Sequence, residues 1–172
     1  MLKKIGMLFS KTWGCDGMKV NLGCGERRME GYINVDIVKR PSVDMVMDLS
    51  RKWKFPDSSV EEIYMDNILE HLEFWHAIKE IERVLKKGGK CTLIVPHYRS
   101  PTGYMPQHTR VFSYQFFHLG FQEDFVGLGG LDIRTVRLIP PVKALAPIAT
   151  ALHSLWEWLL PVSSVYVEIK KK

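Results

Sequence analysis

The stretch Met18-Lys19-Val20-Asn21-Leu22-Gly23-Cys24-Gly25, with Tyr32-Ile33-Asn34-Val35-Asp36 close behind it, decides the fold. Residues 18–22 form a short β-prone run closed by two glycines, and residues 32–36 form a second run that ends on an acid. Only the nine residues 23–31 separate them, fewer than the ~10–12 that a parallel crossover with a full helix requires. The first crossover helix is therefore expected to be short or missing. The apolar residues Ile5, Met7, Leu8, Phe9 and Trp13 are expected to cover the face it leaves bare.

Outward from this pair the alternation continues. Met45, Val46 and Met47 lie in a third run over residues 44–48. Pro56-Asp57-Ser58 marks a turn, and residues 60–65 are a fourth strand. Phe74, Ile78, Ile81, Val84 and Leu85 recur at helical spacing, with Lys79, Glu80, Glu82 and Arg83 turned outward and Gly88-Gly89 as the stop. Residues 91–95 are uniformly apolar, as in a strand buried on both faces. The last third holds a helix near residues 113–119 and strands near 133–139 and 165–169, with an Ala/Leu/Trp-rich helical insertion near 142–160. The predicted architecture is α/β: a single domain over residues 1–172, with a Rossmann-like, mostly parallel sheet, helices on both faces and an antiparallel C-terminal strand.

Composition sets bounds on function. The chain of 172 residues is 46% hydrophobic and 25% charged, as in a globular protein. Lys plus Arg exceed Asp plus Glu by 24 to 19, but much of the excess sits at the termini, which does not favour nucleic-acid binding. Cys15, Cys24 and Cys91 offer neither a disulfide framework nor a zinc-ligand spacing, so no metal is expected and a reducing, cytoplasmic location is. The apolar run after Lys3-Lys4 is too short for an export signal. Residues 142–160 are interrupted by Lys143, Pro147, His153 and Glu157, so no transmembrane span is expected.

Glycine at a strand end lets the backbone bend and approach a ligand, although one such turn is as compatible with a plain turn. Asp36 strengthens the case, because a carboxylate at the next strand end can accept both hydroxyls of a ribose. Asp48 repeats the arrangement one strand later, where it can accept from an exocyclic adenine amine. Together the three polar strand ends specify an adenosine-shaped ligand. A nicotinamide cofactor fits less well, since it asks for a third glycine and an acid about 20 residues on.

These residues resemble the class I S-adenosylmethionine-dependent methyltransferases, in their small-molecule, type 11-like branch. The resemblance spans residues 19–98. It rests on Asn21-Leu22-Gly23-Cys24-Gly25, Gly31-Tyr32-Ile33-Asn34-Val35-Asp36, Asp48-Leu49, Asn67-Ile68-Leu69-Glu70-His71-Leu72 and Ile81-Glu82-Arg83-Val84-Leu85-Lys86-Lys87-Gly88-Gly89. It implies S-adenosyl-L-methionine as cofactor, with Gly23 and Gly25 under its methionine part, Asp36 on its ribose and Asp48 near its adenine. Asn67 would border the cofactor and open the acceptor side, and Asn21, Cys24, Ile37 and Leu49 complete the implied cofactor set. Two departures stand out: Asn21 occupies a position where many members carry an acid, and Glu26-Arg27-Arg28 replaces a third glycine. Arg27 or Arg28 is either a partner for the cofactor's carboxylate or a surface charge.

The acceptor side is expected in the loop over residues 96–110, which carries His97, Tyr98, Arg99, Tyr104, Gln107, His108 and Arg110. His108 is the first candidate general base and His97 the second, because imidazole exchanges protons near neutral pH. Arg99 and Arg110 are candidates for an anionic acceptor or for surface pairing, and His71 for local packing. Leu145, Ile148, Leu152, Leu155, Trp156 and Leu159 suggest core packing or a homodimer contact, with a roof over the acceptor or a membrane-surface contact as alternatives. A small-molecule acceptor leads. RNA or protein methylation, or a non-catalytic cofactor-binding subunit, are the other readings. Met65-Asp66-Asn67-Ile68 stands where base-amine methylation expects an Asn-Pro-Pro-Tyr-type segment.

Overall fold

The computed structural model describes residues 17–119 and 130–172, so the N-terminal segment expected to cover the first crossover lies outside the described residues. Seven strands form one sheet: β1 (Met18–Leu22), β2 (Ile33–Asp36), β3 (Met45–Val46), β4 (Val60–Asp66), β5 (Leu85–Pro96), β6 (Leu131–Ile139) and β7 (Ser164–Lys171). Their order is β3-β2-β1-β4-β5-β7-β6. The first five pair in parallel, and β7 runs antiparallel to both β5 and β6. The order reverses direction at β1, so the strand ends there form the crevice in which open α/β sheets bind ligands.

The expected short crossover is present: residues 23–32 contain no helix. Residues 47–59, between β3 and β4, contain none either, and there Trp53 and Phe55, each 2% exposed, fill the space. Burying two such rings contributes roughly 1.5–3 kcal/mol apiece. The main helix, α1 (Phe74–Val84), turns Phe74, Ala77, Ile78, Ile81 and Val84 into the core, and Glu73 caps it by accepting the Trp75 and His76 N–H groups.

Two details differ from the sequence expectation. Helix α1 ends at Val84, and Leu85 is already extended (φ −63°, ψ 138°) because it pairs with Val60 of β4. Gly88 and Gly89 are instead part of a bulge, where the pairing jumps from Val60↔Leu85 to Glu62↔Lys90. A Cβ at Gly89 would lie 2.9 Å from the Lys86 carbonyl oxygen. Glu80 and Arg83 also do not face solvent. The Glu80 carboxylate accepts from the Trp53 N–H at 2.7 Å and from the Arg83 guanidinium at 2.6 Å. Arg83 in turn donates to the carbonyls of Trp53 (3.1 Å) and Phe55 (2.9 Å). Helix α1 thus grips the helix-free crossover by a buried charge pair.

In the C-terminal third, α2 (Tyr114–His118) is capped by the Ser113 hydroxyl. The helical insertion is two helices, α3 (Ala146–Ala151) and α4 (His153–Leu159), broken at Leu152. Their packing is inverted. Ala149 and Glu157 are buried, while Leu145, Ile148, Leu152, Leu155 and Leu159 are 38–67% exposed. Of the apolar stripe, Trp156 packs against the core and the leucines and Ile148 face outward. No helix among the described residues is long and apolar enough to cross a membrane.

Arg83→Ala leaves a buried carboxylate with one donor, and should cost about 2–4 kcal/mol in urea unfolding at neutral pH. Burial pushes the Glu80 pKa up, but the Arg83 hydrogen bond, the Trp53 N–H and the Arg83 charge outweigh it, holding it below the ordinary 4.5. The clamp's contribution is thus present above that ordinary value and is lost as pH falls through the lower folded one. Glu80→Gln should flatten this acid limb. Gly23 (φ +70°) and Gly25 (φ +52°) test the turn separately. Either glycine changed to Ala incurs the left-handed penalty of about 1–2 kcal/mol. Gly23→Ala should cost more in the same assay, because its Cβ would land 2.6 Å from Ile68 Cγ1 whereas Gly25 has nothing within 4 Å.

Candidate functional site

A cleft of about 510 Å³ opens at the carboxyl ends of β1 and β4, between the Gly23–Gly25 turn and the segment from Tyr64 to Asn67. One buried side chain sets the shape of the turn. Asn34, on β2 and 0% exposed, accepts at Oδ1 from the Asn21 amide (3.0 Å) and the Met29 N–H (2.8 Å). Its Nδ2 is shared among the carbonyls of Met29 (3.1 Å) and Tyr32 (3.0 Å) and the Asp44 carboxylate (2.9 Å). Asn21 also donates to the Arg27 carbonyl at 3.0 Å. Burial pushes the Asp44 pKa up, but the Asn34 backbone N–H, its side-chain amide and Arg28 together hold it below the carboxylate range. These bonds do the work that a crossover helix would do by packing.

Several expected cofactor residues converge here. Asn21, Gly23, Cys24, Gly25 and Asn67 line the cleft. Asp36, at the end of β2, accepts at Oδ2 from the Gly25 N–H (2.9 Å), and at Oδ1 from the Val38 N–H (2.9 Å) and Arg40 (3.3 Å). Its carboxylate is fixed in orientation, with lone pairs left to accept from a ligand hydroxyl. Ile37, beside it, is 64% exposed, an apolar face held out at a strand end. Asn67 adopts φ +53°, a left-handed conformation rare for a residue with a side chain. Its N–H extends the sheet to the Ile94 carbonyl at 2.9 Å, and its amide donates to Asp66 Oδ1 at 2.9 Å. Burial first, and the Asp36 charge next, push the Cys24 thiol upward, so it stays protonated.

Other candidates are placed differently. Leu49 is 6% exposed and belongs to the core. The Asp48 carboxylate accepts from the Ser50 hydroxyl (2.6 Å) and N–H (2.9 Å) and pairs with Arg51 at 3.2 Å, which places it in a turn outside the cleft lining. Of the two arginines, Arg28 pairs with Asp44 at 2.7 Å, whereas Arg27 lines the cleft and meets Asp66 at 2.9 Å. The cleft thus presents a cation and an anion side by side, a match for a zwitterion.

On the acceptor side the structure separates the two histidines. His97 is fully buried; its Nε2 meets Glu157 Oε1 at 2.9 Å and its Nδ1 accepts from the Arg99 N–H at 3.2 Å. With both ring nitrogens engaged in the interior it ties α4 to the end of β5, and it has no route to a substrate proton. Glu157 also accepts the Tyr114 N–H at 2.6 Å. Arg99 donates to the Glu157 carbonyl at 2.5 Å, and Arg110 stacks over Phe74 at 5.2 Å. Both cations expected to meet an anion are thereby engaged within the fold.

His108 has a different setting. Thr109 donates its N–H (2.7 Å) and hydroxyl (3.0 Å) to the Glu70 carbonyl, docking the loop on the 3₁₀ turn Leu69–His71. The His108 and His71 rings then meet edge-on, 4.7 Å between centroids. Burial, then the His108 charge, lower the His71 pKa. Burial pushes Glu70, 1% exposed, up to about 7, and the Asp66 charge adds to it.

Sequence reasoning missed Asn34, Glu70 and Glu157 as site-forming residues. A polar residue at an inward position of a strand was a legible signal for Asn34. The partners of Glu70 and Glu157 lie far along the chain and left none.

Residues 7–93 match the methyltransferase domain family of type 11. No curated protein sequence matches the chain. Among solved structures, the S-adenosylmethionine-dependent methyltransferase of Mesorhizobium loti is 17% identical over 89% of this chain and 90% of its own, with a TM-score of 0.57. That of Archaeoglobus fulgidus is 14% identical over 99% and 92%, at 0.60. The 1,6-didemethyltoxoflavin-N1-methyltransferase of Burkholderia thailandensis, with bound 1,6-didemethyltoxoflavin and S-adenosylhomocysteine, is 13% identical over 99% and 78%, at 0.59. At such identities the structural likeness shows the shared fold, and the family match covers half of the chain. The chain belongs to the class I S-adenosylmethionine-dependent methyltransferases, in the type 11-like branch, with S-adenosylmethionine as its cofactor.

Proposed function

We propose that this chain transfers the methyl group of S-adenosylmethionine to a small-molecule acceptor that enters beside Asn67. The observation that carries this reading is the cleft between the Gly23–Gly25 turn and the Tyr64–Asn67 segment, with Arg27 and Asp66 paired across it. The residues fit the cofactor. The backbone at Gly25 is left-handed and a Cβ there would meet nothing within 4 Å, so the turn offers a bare surface to a ligand. Arg27 holds the carboxylate of the methionine part and Asp66 its ammonium. Asp36, oriented by the Gly25 N–H, accepts from the ribose hydroxyls, and exposed Ile37 gives the adenine ring an apolar face.

The bound cofactor supplies an electrophilic methyl group on a sulfonium. The chain's part is to hold donor and acceptor in line and to keep water out, which accounts for much of the barrier lowering in such a displacement. A base is required only where the acceptor must lose a proton. The cleft of about 510 Å³ lies in the size range of small-molecule sites, as the cofactor requires. The fold neighbour from Burkholderia thailandensis, an N1-methyltransferase with 1,6-didemethyltoxoflavin bound, supports an acceptor of that class.

In a calorimetric titration S-adenosylhomocysteine should bind and NADH should not; binding of NADH alone would overturn the cofactor fit. Asp36→Ala should weaken that binding by about tenfold or more, the worth of a charged hydrogen bond. Unchanged affinity in the folded variant would remove the ribose assignment. With radiolabelled cofactor and cell extract, label should appear in the small-molecule fraction. Label confined to RNA or protein would reassign the acceptor, and binding without labelled product would point to a non-catalytic subunit.

A further inference from the structure

The 3₁₀ turn Leu69–His71 points Glu70 inward and leaves His71 exposed. Neither Glu70 carboxylate oxygen has a hydrogen-bond partner, although the residue is 1% exposed. A buried carboxyl group with both oxygens unsatisfied carries a large desolvation cost and calls for an explanation. Two imidazoles stand beside it. His71 is its chain neighbour, and His108 arrives from the loop after β5. One ligand atom from each of Glu70, His71 and His108 lies within 4.8 Å of the other two.

We propose that Glu70, His71 and His108 form a binding site for one divalent transition-metal ion of the zinc type. Ligands around such an ion stand about 2.0–2.2 Å from it, and hence roughly 3.5 Å from one another in a tetrahedral set. The three side chains need to close by only about 1 Å from the separation observed; His71 is exposed and His108 half-buried. Two imidazoles and one carboxylate suit zinc, cobalt, iron(II) or nickel, and are a poor match for magnesium or calcium, which prefer all-oxygen shells.

A surrounding bond orients the His108 imidazole for this role. His108 Nδ1 lies 3.4 Å from the Gly103 carbonyl oxygen. A carbonyl only accepts, so this contact favours the proton on Nδ1, the tautomer in which Nε2 carries the lone pair. Outer bonds of this kind fix the tautomer of metal-binding histidines. Three protein ligands leave at least one position on the solvent side for water or an acceptor atom. Asn67, at the border of the cofactor cleft, is three residues before Glu70. The ion would therefore join the β4–α1 turn to the acceptor loop, and His108 would act as a ligand in place of the general base.

The test uses protein without a polyhistidine tag, stripped with chelator and titrated with cobalt(II) and zinc(II) salts. The expected result is one ion per chain, with visible cobalt d–d bands that zinc abolishes, and a melting temperature raised by the metal. His108→Ala and Glu70→Gln should each weaken binding by about tenfold or more, while His118→Ala leaves it unchanged. Should Glu70→Gln fail to fold by circular dichroism, His108→Ala decides, since that half-buried ring gives up a single long bond. Absence of binding by the folded wild type, or binding that neither variant weakens, would overturn the site. All of these readouts are independent of methyl transfer and stand or fall apart from it.

Discussion

The buried carboxamide of Asn34 is the interaction on which the ligand-binding half of the sheet depends. Where a parallel crossover would place a helix, this chain has a ten-residue turn and one side chain that bonds to Asn21, Met29, Tyr32 and Asp44. Helix packing spreads its energy over many weak contacts and tolerates small shifts. Hydrogen bonds lose strength within tenths of an ångström and tens of degrees, so a turn held by them has one shape. That shape presents the Gly25 N–H to Asp36 and leaves the cleft open.

The same substitution of directed bonds for helix packing recurs twice. Glu80 and Arg83 of α1 hold the crossover around Trp53 and Phe55, and the pair of His97 and Glu157 fastens α4 to the end of β5. Buried polar and charged pairs are poor sources of net stability, because desolvation consumes most of the attraction. Their effect is to specify position. A chain with few crossover helices must locate its loops by some other means, and here charge and amide chemistry do so.

The strands and α1 were legible because period and punctuation agree: β1 is followed by glycine, β2 ends on Asp36, and the apolar residues of α1 recur at helical spacing. The cofactor end of the site was legible for the same reason, since it is built from strand ends. The helix boundary at Val84 was not, because the pairing of Leu85 with Val60 is a tertiary event that overrides the glycine stop. Glu80 was misread by the assumption that a polar residue on a helix faces water, and Glu157 was seen only as an interruption of an apolar run. Each is buried against a partner on another element, 27 and 60 residues away in the chain. Likewise, the meeting of His71 and His108 depends on Thr109 docking on the Glu70 carbonyl, a contact that no local pattern announces.

The strand order also governs how the sheet can be assembled. β7 follows β6 in the chain yet lies between β6 and β5, with Ile169 opposite both Cys91 and Ile133. During synthesis β5 therefore emerges with one parallel neighbour and one open edge, and β6 emerges with no neighbour to pair with. Both remain so until residues 164–171 have left the ribosome. An open edge of apolar residues is the kind of surface on which nascent chains associate. The burden on the cell's holding factors thus falls on the interval between translation of Pro96 and that of Lys171, and slow codons in that interval would lengthen it.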